Sequence, residues 1–113
     1  MRKSVLLLLV LAGLCAAQTP TVARLTELSK NPGSLEFEQA LKAALKAAAI
    51  HDGKAFLGEG PNFFFAVEAS STPELYIDDE RAATLQHAGS SNVYYAQASL
   101  KTGRSHSFYY KIN

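Results

Sequence analysis

Ser91 to Asn113 reads SNVYYAQASLKTGRSHSFYYKIN, and the pairing of this stretch decides the fold. Asn92 to Leu100 and His106 to Ile112 are rich in Val, Tyr, Phe and Ile, side chains that suit a half-buried pleated surface. Between them, Gly103 can supply a positive φ where the chain reverses. The two runs are therefore expected to form a β-hairpin. A four-residue loop would put Leu100 on the face of Ser105, Ser107 and Lys111, away from Phe108, Tyr110 and Ile112. A five-residue loop pairs Leu100 with His106, Ala98 with Phe108, Ala96 with Tyr110 and Tyr94 with Ile112. Small side chains then lie opposite large ones on a single apolar face. A slip of one residue turns every side chain of a strand over, so the five-residue loop is the expected one. A hairpin alone is marginal in water, and its apolar face needs a cover.

The opposite face of this hairpin would carry Tyr95, Gln97, Ser99, Ser107, Tyr109 and Lys111. Aromatic plates beside short hydrogen-bonding groups are what a sugar-binding surface needs. Packing of the same tyrosines under a helix or against a neighbouring domain is the reading weighed ahead of it. Tyr95, Tyr109, Lys111 and Gln97 are accordingly the candidate ligand- or domain-contact residues.

Upstream, Phe63 to Ala69 alternates Phe63, Phe65, Val67 and Ala69 against Phe64, Ala66 and Glu68. It is expected to be the first strand of the sheet region, with Glu68 marking the wetter face and Phe64 on it partly covered by the alanine-rich helix. Glu74 to Asp78 is a short strand that turns at Asp78-Asp79-Glu80-Arg81, and Ala83 to His87 is a weak one. Short strands between frequent turn signals point to a mainly β chain folded as a β-sandwich. Gly58-Glu59-Gly60-Pro61-Asn62 has no Lys-Ser or Lys-Thr pair after it, and a strand rather than a helix follows. It reads as a turn and not as a phosphate loop.

Residues 18–53 form a helical lead-in to a β domain at 54–113. Val22, Leu25 and Leu28 recur at helical spacing, and Asn31-Pro32-Gly33 then breaks the chain. Ser34 can cap a helix running to Ala49, with Glu36 and Glu38 in its first turn and Phe37, Leu41, Ala44, Leu45 and Ala48 on one stripe. So thin an alanine-rich stripe needs a larger surface to dock on.

The start of the chain is expected to be a signal peptide, residues 1–17. Arg2 and Lys3 form a basic start, Val5 to Leu14 is continuously apolar, and Cys15-Ala16-Ala17 offers small residues for cleavage. The apolar run is shorter than the roughly 20 residues a membrane span needs. Leu14 is not the small residue a lipoprotein signal places before its cysteine, so plain export to the periplasm or medium is expected, with no membrane attachment after cleavage. Cys15 is the single cysteine, which leaves the exported domain without disulfide or thiol chemistry. Two of the eleven basic side chains lie in the leader. The other nine stand against ten acidic ones with no basic block, which argues against nucleic acid as a partner.

Catalytic patterns are not found. There is no Gly-x-Ser-x-Gly elbow. His51, His87 and His106 lack metal-ligand spacing. His51 reads as a solvent-facing helix end and His106 as a satisfied, half-buried side chain. Asp78, Asp79 and Glu80 lack the alternation of a calcium loop and read as a solvated turn. No cofactor and no enzymatic activity are expected of this chain.

FFFAVEASSTPELYIDD (Phe63–Asp79) followed by SSNVYYAQASLKTGRSHSFYYKIN (Ser90–Asn113) resembles the early-set immunoglobulin-like domain related to glycogen- and starch-type carbohydrate-binding modules. It is most similar to the N-terminal module of secreted bacterial esterases of the enterochelin-esterase and feruloyl-esterase type. The resemblance covers about Ala40 to Asn113. Its most specific part is the aromatic at Tyr94, then Leu100, Gly103 and Tyr110, closing on an Asx residue. It implies an immunoglobulin-like β-sandwich that contacts an α/β-hydrolase domain C-terminal to it and helps frame that domain's substrate cleft, with carbohydrate as another possible partner. The family's catalytic residues have no positions here onto which they could be carried. The chain therefore reads as a truncated esterase or a separated accessory module.

Overall fold

The computed structural model describes residues 21–112; the expected leader, Cys15 and the closing Asn113 lie outside them. The element order is α1 (Val22–Leu28), α2 (Leu35–Leu45), α3 (Ala47–His51), β1 (Ala55–Glu59), β2 (Asn62–Glu68), β3 (Pro73–Ile77), β4 (Glu80–Thr84), β5 (Gln86–Ala88), β6 (Val93–Ser99) and β7 (Phe108–Ile112). The strands form two antiparallel sheets, ordered β1-β2-β6-β5 and β4-β3-β7. The chain is mainly β, a sandwich whose larger sheet carries the helices on its outer face.

Two cores follow from this layering. Between the helices and the four-stranded sheet lie Val22, Leu25, Phe37, Leu41, Leu45 and Ile50 against Phe64, Ala66, Val93 and Tyr95. Between the sheets lie Phe65, Val67, Leu75, Ile77, Leu85 and Ala96, flanked by Phe63, Tyr94, Ala98, Leu100, Phe108 and Tyr110. The middle sheet is thus dry on both sides. That is why Phe64, Phe65, Ala66 and Val67 are buried in succession although their sequence alternates with a glutamate.

The first strand, β1, precedes Phe63, where a turn alone was expected. Its hairpin with β2 closes through Gly60-Pro61, since Glu59 pairs with Asn62. Gly60 adopts the positive φ (62°) that a turn of this length requires at its first central position. Asp78 and Asp79 make the equivalent two-residue turn between β3 and β4, both with positive φ (52° and 68°), a conformation Asp tolerates better than most side chains. Ala83 to His87, read as a single strand, is divided. β4 belongs to one sheet and β5 to the other, and Leu85 crosses between them, buried in the inter-sheet core.

The C-terminal hairpin is not formed. β6 is paired on one edge along its whole length by β2, from Asn62↔Ser99 to Glu68↔Val93, and on the other by β5. β7 instead pairs with β3, from Pro73↔Ile112 to Ile77↔Phe108. β5 takes the second edge of β6 at Val93–Tyr95 and β7 lies in the other sheet, so the Leu100–Ser107 connection is an arch from one sheet to the other. The inward residues are nevertheless largely those expected. Tyr94, Ala96, Ala98 and Leu100 meet Phe108 and Tyr110 across the sandwich rather than beside them. Ile112 is the exception, 48% exposed.

The helix expected from Ser34 to Ala49 is broken. Ser34 caps it, its hydroxyl accepting from the Phe37 amide at 3.1 Å, but Lys46 has φ 74° and ψ 121° and separates α2 from α3. The break lets the chain turn back so that Ile50 is buried against the sheet. Glu38 ties α2 to the turn before β6. It accepts from the Ser90 amide at 3.1 Å and from Lys42 at 2.9 Å, and the Lys42 ammonium foremost holds its carboxyl below the usual range. Among the described residues no helix is long and apolar enough to cross a membrane.

Candidate functional site

The four candidate contact residues do not share a face. Tyr95 and Gln97 lie on β6 and point to the helical layer. Tyr95 is 7% exposed, its ring stands edge-on to Phe37 and its hydroxyl donates to Gln86 Oε1 at 3.1 Å. Burial pushes the phenol's pKa up. Gln97 Nε2 donates to Thr26 Oγ1 of α1 at 3.0 Å. Both are engaged by the chain's own helices, because β6 and β7 sit in different sheets and their outward faces point in opposite directions.

Tyr109 and Lys111 lie on β7 and face outward from the three-stranded sheet. Tyr109 is opposite Tyr76 of β3 in the ladder, and their rings stack with centroids 5.3 Å apart at 13°. Lys111 Nζ lies 4.4 Å from the centroid of the Tyr76 ring, a cation–π distance. Arg81 Nη1 bonds Glu74 Oε2 at 3.0 Å on the same face. The result is an aromatic and polar surface with Tyr109 39% exposed. Two rings stacked on each other give up the faces they turn inward. The Tyr109 ring is left to meet a ligand or a partner.

Tyr76 is the member of this cluster that the sequence reading left out. Its outward direction was legible from the alternation with Leu75 and Ile77. Its partner was not, because β7 was assigned to β6.

No family model, curated protein or solved structure matches the chain.

His106 clamps two segments together. Nδ1 lies 2.6 Å from Asp78 Oδ2, and Nε2 lies 2.8 Å from the Lys101 carbonyl. Both partners are acceptors, so the arrangement favours the protonated imidazole, in which both ring nitrogens donate. Its pKa is raised, by the Lys101 carbonyl first and the Asp78 carboxylate second. Asp78 Oδ1 also accepts from the Ser107 amide at 3.0 Å, and the carboxyl is held below the usual range, chiefly by His106. Together these bonds fasten the arch between the sheets to the β3–β4 turn. His51, expected in open solvent, is exposed but bonds Glu68 at 2.9 Å. Among the described residues no group of three or more His, Cys, Asp or Glu side chains could hold a metal ion.

Proposed function

We propose that the chain is a non-catalytic accessory module of a secreted or periplasmic esterase, and that the outer face of its three-stranded sheet packs against an α/β-hydrolase domain and frames that domain's substrate cleft. The observation that carries this reading is the asymmetry of cover. Helices shield the outside of the four-stranded sheet, while the outside of the other leaves Tyr109 and Lys111 exposed beside the half-buried Tyr76. The early-set immunoglobulin-like assignment belongs to the same proposal. Its support is strand order. Strands 1, 2, 6 and 5 in one sheet and 4, 3 and 7 in the other follow the A, B, E, D and C′, C, F order of immunoglobulin-type sandwiches.

The test is retention of a separately purified α/β-hydrolase domain, taken from an enterochelin- or feruloyl-type esterase, on a column carrying residues 18–113. Retention that Tyr109→Asp abolishes is the expected result. Failure of every such domain to bind, or hydrolysis of a chromogenic acetate ester by the purified chain alone, would sink the proposal.

A second reading is a free-standing carbohydrate-binding module, favoured by the exposed Tyr109 ring. Retardation in a polysaccharide affinity gel that is lost in Tyr109→Ala, without any binding to a hydrolase domain, would select it.

A further inference from the structure

β6 is an inner strand of its sheet, yet half of one edge is left open. β5 covers that edge only at Val93–Tyr95, through Ala88↔Val93, His87↔Tyr94 and Gln86↔Tyr95. Upstream of Gln86 the chain leaves the edge at Leu85 and runs in the other sheet as β4. The three strands around the gap are consecutive in the chain, and the crossing at Leu85 is what opens it. The ladder's alternation shows which main-chain groups are left over. The Ala69 amide donates to the Asn92 carbonyl and the Leu100 amide to the Pro61 carbonyl, and both pairs continue the β2–β6 register. Successive residues of an antiparallel strand bond to opposite neighbours, so the even-numbered residues of β6 serve β2 and the odd-numbered ones face the other edge. Val93 and Tyr95 meet β5 there. Gln97 and Ser99 turn their N–H and C=O groups outward, and among the described residues no strand pairs with them on that side.

Two cavities border these groups, one of about 410 Å³ beside Thr84, Gln86 and Gln97 and one of about 630 Å³ beside Arg81, Ala82, Gln97, Ser99, Lys101 and Arg104. Gln97 lines both, so they form one groove between β4 and the open stretch of β6. Three features select its occupant. Gln97 and Ser99 each offer a donor and an acceptor, two residues or roughly 6.8 Å apart, and that is the repeat with which another extended main chain satisfies them. Ala82 and Ala98 are small enough to let a backbone come close, and no Phe, Tyr or Trp side chain lines the wider cavity, so a sugar ring would find no plate to stack on. The third feature is charge. At the wide end Asp78 is bound to His106 and Arg81 to Glu74. Among the described residues Lys101 and Arg104 join no ion pair, and these two cations outnumber the remaining carboxylate of the lining, Glu80. We propose that this groove receives an extended acidic segment of a partner polypeptide, hydrogen-bonded to Gln97 and Ser99 with its carboxylates beside Lys101 and Arg104. The inference is independent of whether the Tyr109 face binds a hydrolase domain.

The experiment uses the chain without its expected leader, residues 18–113, and a capped nine-residue peptide in which threonine and valine alternate and the last two residues are aspartate. Amide exchange at Gln97 and Ser99 is expected to slow saturably, by at least about tenfold, while that at Ala96 and Ala98, already bonded to β2, stays unchanged. The same peptide with proline at two central positions lacks their backbone donors and should not bind. Lys101→Glu combined with Arg104→Glu replaces two exposed side chains and should leave Tm unchanged. Its affinity for the aspartate peptide should fall at least about tenfold, and a peptide ending in two lysines should bind it more tightly than it binds the unaltered chain. The proposal is overturned by any of five results. These are no saturable effect, an equal effect of the proline peptide, affinity indifferent to the charge reversal, Gln97 and Ser99 amides already as slow as Ala96 and Ala98 in the free chain, or a homodimer that pairs the β6 edges of two copies.

Discussion

Phe37 of α2 stands edge-on to Tyr95 of β6, ring centroids 4.8 Å apart and planes at 73°. This contact settles what Tyr95 does. It is a core residue that joins the helical layer to the middle sheet, and its phenol tip is satisfied by Gln86. Tyr95→Ala should therefore destabilise the fold by about 3–5 kcal/mol, as loss of a buried aromatic does. Tyr109→Ala removes an exposed cross-strand partner and should cost no more than about 1 kcal/mol. Urea unfolding of the two variants checks the contrast; equal costs would contradict the opposite placement of the two rings.

Lys46 holds a positive φ without being glycine, a conformation that strains a side-chain-bearing residue by roughly 1–3 kcal/mol. Lys46→Gly relieves it, against about 0.5–1 kcal/mol of added chain freedom in the unfolded state. A net gain of about 1 kcal/mol in urea unfolding is expected. Lys46→Ala keeps the strain and should give no such gain.

Gly89 is constrained twice. It has φ 65°, and a Cβ would come into collision with the buried Glu38 carboxylate, at its Oε1. Gly89→Ala must therefore strain the backbone and displace the carboxylate from the Ser90 amide. A loss of about 2–4 kcal/mol is expected, read by chemical denaturation. Gly103, whose Cβ would meet nothing within 4 Å, has only its φ of 81° to protect, and Gly103→Ala should cost about half as much.

The Asp78–His106 pair makes stability depend on pH with a definite sign. His106 is raised above the ordinary 6.5, so its contribution is complete below pH 6.5 and is lost as pH rises through the raised value. Asp78 is lowered below the ordinary 3.8, so its contribution is complete above pH 3.8 and is lost as pH falls through the lowered value. Glu38 adds to the acid flank in the same sense, and His51 beside Glu68 adds to the alkaline one. Tm should be highest between the two limits. His106→Gln should flatten most of the alkaline decline and leave the residue of it that His51 supplies. A decline unchanged in that variant would mean that the clamp does not hold the arch.

Alternation sorted the side chains of β2, β3 and β6 into two faces, because successive side chains of a strand point to opposite sides whatever its neighbour is, but it did not show that both faces of β2 are covered. It could not tell neighbours. Five-residue spacing between Leu100 and His106 fits a hairpin, and nothing local in those residues announces that β6 is already paired with β2 along its length and with β5 at its start. That fact resides in β2 and β5, which precede the stretch in the chain. The aromatic cluster of the candidate site was half legible for the same reason. Tyr109 and Lys111 could be placed on an outward face from β7 alone, but Tyr76 joins them only through the β3–β7 ladder. β1 was missed because Gly58 and Gly60-Pro61 look like loop, and only the Phe63 ring lying over Gly58 explains a glycine in mid-strand.

Leu85 alone links β4 to β5 and so passes from one sheet to the other in a single residue. It acts as the spine of a book. The two covers cannot part along that side without tearing the chain's own continuity, whereas no segment of chain joins β1 directly to β7 on the other side. Slow fluctuations of the native protein should consequently be hinged at Leu85 and widest at Phe56, with the centre of the middle sheet the last region to exchange its amide protons for deuterium.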